Sequence, residues 1–196
     1  MLCSIRILVL LCSLTVIPPT SSAQSLDDMF RKGATELGFH AGGAIAVPGG
    51  KRDRNYWMLV ARWGRILTPQ IAGGALRGNL EYGIEAVPAL VMRQSSTVYG
   101  GGFAPIQFRY NFTSAGAVVP YFEIGSGILA STSQIPEGSS RFNFASHGGF
   151  GVHFVSVGGR SVALGARYVH ISNAGIGVTN PGINTVYFYT GLSWWQ

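Results

Sequence analysis

The sequence predicts an all-β fold, an eight-stranded antiparallel transmembrane β-barrel. Three observations carry this. The chain begins "MLCSIRILVLLCSLTVIPPTSSAQS". An early Arg6, an apolar run ending at Leu14, the helix-breaking Pro18-Pro19 and the small residues Ser21, Ser22 and Ala23 have the layout of a secretory signal peptide. Residues 1–23 are therefore expected to be removed, and the apolar run is shorter than the about 20 residues a transmembrane helix needs. The second observation is composition: 11% charged and 12% aromatic residues with 28 glycines, whereas a soluble domain carries about 25% charge. The third is that no long apolar stretch follows the leader, only short alternating segments. An exported chain of this kind crosses lipid as a closed barrel, because every backbone N–H and C=O must be paired there.

The same residues exclude several function classes. Both cysteines, Cys3 and Cys12, lie in the leader, so the mature chain has no disulfide framework, cysteine metal site or cysteine nucleophile. Leu11 rather than a small residue precedes Cys12, which argues against a lipoprotein anchor. The formal charge of +6 becomes +5 once Arg6 leaves. That surplus suits anionic headgroups or a phosphate-bearing glycolipid, and it equally serves to keep loops solvated and oriented. Nothing points to nucleic acid. No residues have metal-ligand spacing, so no metal or organic cofactor is expected.

Residues 24–35 are polar and read as a linker or at most one turn of helix. The barrel follows over 36–196. Its strands are read at Glu36–Val47, Asn55–Leu67, Ala75–Met92, Thr97–Phe112, Val118–Ala130, Arg141–Ser156, Ser161–Ser172 and Ile183–Trp195. Turn formers such as Pro48-Gly49-Gly50, Asn111 to Gly116 and Gly158-Gly159 separate them. Several exceed the roughly 9–11 residues of a spanning strand, which implies continuation into extracellular loops. Eight strands, with both ends on one side, make the smallest standard outer-membrane barrel. The ending Trp194-Trp195-Gln196 partly fits an outer-membrane sorting signal.

Alternation assigns faces, since outward residues should be apolar and inward ones small or polar. In the fourth strand Ala104, Ile106, Phe108, Tyr110 and Phe112 oppose Gln107, Arg109 and Asn111. In the fifth, Phe122, Ile124 and Ile128 oppose Glu123, Gly125 and Gly127. In the third, Leu80, Tyr82, Ile84 and Ala86 oppose Arg77, Asn79, Glu81, Gly83 and Glu85. The interior thus collects Arg77, Arg109 and Arg167 against Glu81, Glu85 and Glu123, as buried ions require partners. So narrow a barrel is filled by side chains and is not a pore. His40, His147 and His153 fall on inward faces.

His170 does not. It shares a face with Val162, Leu164, Ala166, Tyr168 and Ser172, while Gly165 and Arg167 point the other way. An imidazole and a hydroxyl therefore project toward lipid near one rim. In the last strand Asn184 is in phase with Val186, Phe188, Leu192 and Trp194. If paired positions of this hairpin sum to 354, Asn184 lies beside His170 with Cβ atoms about 4.5–5.5 Å apart; sums of 352 or 356 keep the phase equally well. A serine hydroxyl becomes a nucleophile when an adjacent base takes its proton and a third group orients that base. Ser172, His170 and Asn184 fit those roles. Residues i and i+2 of a strand are about 6.6 Å apart, so contact between Ser172 and His170 needs a bend, for which Asn173-Ala174-Gly175 is placed. The structural alternative is an interfacial histidine and a serine that begins a turn.

The run "HISNAGI", 170–176, resembles the active-site signature of the lipid A 3-O-deacylase (PagL) family. The likeness extends through "PYFEIGSGILA", "FNFASHGGFGVHF" and "SVALGARYVH", and more faintly to "FAPIQF". It implies an eight-stranded outer-membrane barrel, a serine hydrolase releasing the ester-linked acyl chain at position 3 of lipid A. By resemblance Ser172 is the nucleophile, His170 the general base, and Asn180 with the Gly175 N–H the oxyanion hole. The family's acid, fourteen residues after the histidine, is Asn184 here, and Pro181 replaces an acidic residue after Asn180. The expected partners are lipid A or lipopolysaccharide as substrate and the outer membrane itself; a homodimer stays open. The alternative function is a non-catalytic barrel that binds lipid or serves structurally.

Overall fold

The strict two-residue alternation of the last two segments places every second side chain on one face. In the computed structural model, which describes residues 25–50 and 54–196, that pattern closes on itself. The strands are β1 Thr35–Ala46, β2 Tyr56–Ile66, β3 Gly78–Arg93, β4 Thr97–Phe112, β5 Val118–Ile135, β6 Ser140–Ser156, β7 Arg160–Ser172 and β8 Ile183–Trp195. Each pairs antiparallel with the next, and β8 returns to β1 to complete a closed barrel. The leader read at residues 1–23 lies outside the described residues. The polar stretch before β1 holds one turn of helix, α1 Leu26–Met29, started by a capping box between Ser25 and Asp28.

The exterior is a belt of apolar side chains, among them Phe39, Phe103, Ile106, Phe122, Ile128, Phe150, Leu164 and Phe188, each more than a third exposed. The interior is packed in tiers. At the end where β1 starts and β8 finishes, Met29 of α1 and Phe30 just after it close the barrel against Ile66, Val119 and Trp195. The Phe30 and Trp195 ring centroids lie 4.6 Å apart, and Asn79 Nδ2 donates to the Phe30 carbonyl at 2.5 Å. At the opposite end Tyr56, Leu90, Met92, Leu129, Ile135, Ile171, Ile183 and Tyr187 form a second apolar layer. Between the layers lie the ions. Arg62 reaches Glu36 (2.9 Å), Glu81 (2.6 Å) and Glu85 (3.3 Å). Arg109 joins Glu36 (2.8 Å) to Glu123 (3.3 Å), and Arg167 joins Glu85 (2.7 Å) to Glu123 (2.6 Å). A cavity of ≈ 50 Å³ remains beside Tyr56, Leu90, Leu129 and Arg167.

Three readings of the sequence change. Arg77 is not a lumen residue: β3 starts only at Gly78, after a 3₁₀ turn at Gly74–Leu76, so Arg77 stays exposed and meets Asp27 at 3.5 Å. Arg62 and Glu36 take part instead, giving three guanidinium groups to four carboxylates in this network. Ala104 does not continue the outward series of Ile106 and Phe108, because the register of β4 shifts by one residue between Phe103 and Ile106. Pro105 sits in that shift. A similar shift on β3 surrounds Pro88, beyond which Leu90 and Met92 are the buried residues. Proline has no N–H for the ladder, so bulges are where a sheet tolerates it, and each bulge exchanges inward and outward positions. His40 and His153 are buried in the lumen and His147 hydrogen bonds the inward Gln107 at 2.9 Å, as the phase predicts.

Candidate active site

β7 carries the site because its parity is unbroken. Ser161, Ala163, Arg167, Val169 and Ile171 are buried, while Val162, Leu164, Tyr168 and His170 are exposed on the outer face. β8 pairs with it so that Val162 faces Leu192, Ala166 faces Phe188, Tyr168 faces Val186 and His170 faces Asn184. The register is the one in which paired positions sum to 354.

That pairing brings His170 Nδ1 to 2.7 Å from Asn184 Oδ1. A carboxamide oxygen only accepts, so Nδ1 carries the proton and Nε2 keeps a lone pair. The imidazole is thereby held as a base with its free nitrogen away from β8. Asn184 is 6% exposed. The loop after β1 covers it: Val47 N–H donates to the Asn184 carbonyl at 2.9 Å. Gly49, at φ +101°, leaves room where a Cβ would stand 2.9 Å from Nδ2. Gly182, at φ +63°, lies against the other side of the ring, where a Cβ would be 3.1 Å from His170 Cε1.

β7 ends at Ser172, and the chain turns directly after it through Ala174 (φ 51°) and Gly175 (φ 82°). Asn173 organises the turn. Its buried carboxamide donates to Thr179 O at 2.8 Å and Ser139 Oγ at 3.0 Å, and accepts the Gly175 N–H at 2.9 Å. Its own N–H donates to Asn180 Oδ1 at 3.1 Å. Asn173 was not singled out from sequence, although it lies inside the "HISNAGI" run. The bond to Asn173 N–H leaves Nδ2 as the outward donor of Asn180. The Gly175 N–H, by contrast, already has the Asn173 carboxamide as its acceptor.

Ser172 is half-buried on the same outer face as His170. Among the described residues no side-chain hydrogen bond links the two, because the strand stays regular through Ser172 and the bend comes one residue later. β6 flanks the pair on the other side, with Phe144 opposite Ser172 and Ser146 opposite His170. No group of three or more His, Cys, Asp or Glu among the described residues is placed to hold a metal ion. The arrangement therefore sets a hydroxyl and an imidazole on the outer face, with the Asn180 amide in the loop that follows them.

The model of the family described as lipid A 3-O-deacylase (PagL) matches residues 44–193. The crystal structure of the outer membrane enzyme PagL is similar at 23% identity and a TM-score of 0.53, over 80% of this chain and 97% of that one. The N-terminal β-barrel domain of Pseudomonas aeruginosa OprF is similar at 11% identity and a TM-score of 0.50, over 84% and 98% of the two chains. Neisserial surface protein A matches at 14% identity and a TM-score of 0.50, over 83% and 97%. A search of curated proteins gave no match.

Proposed function

The chain belongs to the lipid A 3-O-deacylase (PagL) family and is an outer-membrane β-barrel, and from that premise we propose that it is a serine esterase acting on an ester-linked acyl chain of lipid A. The observation that carries the proposal is the exposed, outward His170 held at 2.7 Å by the loop-covered Asn184, on the face that also bears Ser172. A polar group on a wall of hydrocarbon is costly unless it meets a polar partner, and the ester of a membrane lipid supplies one.

In this reading a rotation about χ1 brings Ser172 Oγ to His170 Nε2. The oxygen attacks the ester carbonyl while its proton passes to Nε2. Asn180 Nδ2 donates to the resulting oxyanion, joined by the Gly175 N–H when Asn173 releases it. Collapse breaks the ester bond, and the departing sugar oxygen takes the proton from His170. Water then attacks the acyl-serine while His170 takes its proton; collapse breaks the bond to Ser172 Oγ, which takes that proton back from His170, and the free hydroxy fatty acid leaves. A single oxyanion donor is typically worth about 10²–10³ in rate.

The test is mass spectrometry of lipid A incubated with the purified protein in detergent. Native protein is expected to remove one 3-hydroxyacyl mass, and the Ser172→Ala protein to leave the lipid intact. Identical spectra would favour the second reading, a barrel that binds lipid without hydrolysing it. That reading draws on Asn184 in the family's acid position and on the missing Ser172–His170 hydrogen bond.

Asn184→Asp separates orientation from charge. The carboxylate is isosteric with the carboxamide, so it fits beneath Gly49, whereas glutamate adds a methylene there. It keeps the acceptor for Nδ1–H and adds a negative charge opposite the imidazolium that forms in the transition state. A rise in kcat of about tenfold is expected and no more, since the 10⁴ loss on the reverse exchange in a serine protease triad comes from the wrong tautomer, which Asn184 already avoids, and only the charge is added here. A large loss would mean that the asparagine amide has a task of its own.

A further inference from the structure

The register of four adjacent strands lines up more than the proposed triad. Ser126 on β5 faces Ser146 on β6, Ser146 faces His170 on β7, and His170 faces Asn184 on β8. Four polar side chains thus form one row on the outer face, over about 14 Å of wall at roughly 4.8 Å per strand. The row runs across the strands and so slants through the membrane with their tilt, and the loop after β1 covers its Asn184 end. The row ends on β4 at Ile106, which faces Ser126.

The two serines are not at the rim of the apolar belt. Ile124 and Ile128, 47% and 42% exposed, flank Ser126 along its strand. Phe144 follows Ser146 on one side, and beyond Gly148 the 69% exposed Phe150 lies on the other. Their hydroxyls are 2.9 Å apart and bond each other. Two hydroxyls carry two hydrogens, and that bond uses one. Neither hydroxyl has another side-chain hydrogen bond among the described residues, so the second hydrogen is available to an acceptor on a ligand, and hydrocarbon offers none.

An ester with one chain would need only the His170 end of the row. A lipid with several acyl chains carries ester, amide or hydroxyl groups close together, side by side. We propose that Ser126 and Ser146 form a hydroxyl subsite that binds the polar linkage of a second acyl chain while the first is cleaved at His170, which makes them specificity-determining residues for a multiply acylated lipid. This rests on the esterase reading above. Alanine at either position removes only a hydroxyl from the outer face and leaves the lumen packing untouched.

The experiment compares native protein, Ser126→Ala/Ser146→Ala and Ser146→Thr in detergent micelles on three substrates: hexa-acylated lipid A, a diacyl phosphatidylethanolamine and p-nitrophenyl decanoate. The double variant is expected to lower the ratio of kcat/KM for a multi-chain lipid over the single-chain ester at least fivefold, chiefly through KM. The multi-chain lipid that shows the drop is the source of the second linkage. Ser146→Thr, which keeps the hydroxyl, should restore most of the ratio. A ratio unchanged in the double variant, or a threonine variant no better than alanine, overturns the subsite while leaving the esterase standing. If native protein hydrolyses none of the three, the esterase reading falls. The subsite is then judged by lipid A binding to Ser172→Ala protein with and without the two alanines. A fivefold weaker Kd upholds it and an equal Kd overturns it.

Discussion

Alanine at His170 is expected to lower kcat on lipid A by about 10³–10⁴, with the barrel intact. In a serine protease, loss of the base or the nucleophile costs about 10⁶ in kcat, and loss of the acid about 3 × 10⁴. Here the acid position holds Asn184, so the native site starts without the carboxylate's share and has less to lose. The nucleophile and base act on the same proton. Ser172→Ala should therefore show a similar loss, and the double variant should be no slower than either single one. His170 is exposed on the outer wall, and among the described residues its only side-chain hydrogen bond is to Asn184. The retained compact, heat-modifiable band on electrophoresis should accordingly match native protein. Losses that multiply in the double variant would mean the two residues work separately, and a His170→Ala enzyme within tenfold of native would remove the histidine from the mechanism.

That coupling depends on side-chain parity, which is the part of this protein most open to a reader of the sequence. On β7 and β8 a one-residue slip would turn Arg167 toward lipid and Leu164 toward the ions, so the hydrophobic pattern admits one phase. It does not choose among slips of two. The choice of His170 opposite Asn184 is accompanied by Asn173 and its bonds to Ser139 and Thr179, contacts between loops that no local pattern announces. Parity also misleads where the ladder is irregular. Ala104 and Arg77 both sit at positions of the right phase, yet Pro105 lies in a bulge just beyond the first and β3 begins just after the second. Glu36 shares its parity with His40 and was within reach of the same reasoning. The row from Ser126 to Asn184 was not, because it requires the registers of three successive hairpins at once.

Arg167→Leu is expected to destabilise the barrel by about 3 kcal/mol, the low end of the 3–5 kcal/mol that breaking a buried ion pair from one side costs. Arg167 is 2% exposed. Its guanidinium donates through Nε to Glu123 at 2.6 Å, and through both terminal nitrogens to Glu85 at 2.7 and 2.8 Å. Removing it leaves two carboxylates facing each other. Neither is stranded completely: Glu123 keeps Arg109 at 3.3 Å and the Tyr189 hydroxyl at 2.6 Å, and Glu85 keeps Arg62 at 3.3 Å. Those remaining partners argue for the lower figure. Lysine should rescue only part of the loss, since an ammonium cannot fork across two carboxylates as guanidinium does. The companion variant Arg167→Leu/Glu123→Leu removes one charge of each sign and should be more stable than the single by about 2 kcal/mol, within the range of coupling between directly bonded groups. Urea midpoints for refolding into lipid vesicles would measure all three. A single variant within 1 kcal/mol of native would mean the ion layer is dispensable. A double variant no more stable than Arg167→Leu would mean that the two side chains contribute by volume and not by charge. Arg167 lies three residues before His170 on the same strand, so the kcat of the lysine variant adds a second measure. Full activity at reduced stability would show that the ladder, rather than the lumen, holds His170 against Asn184.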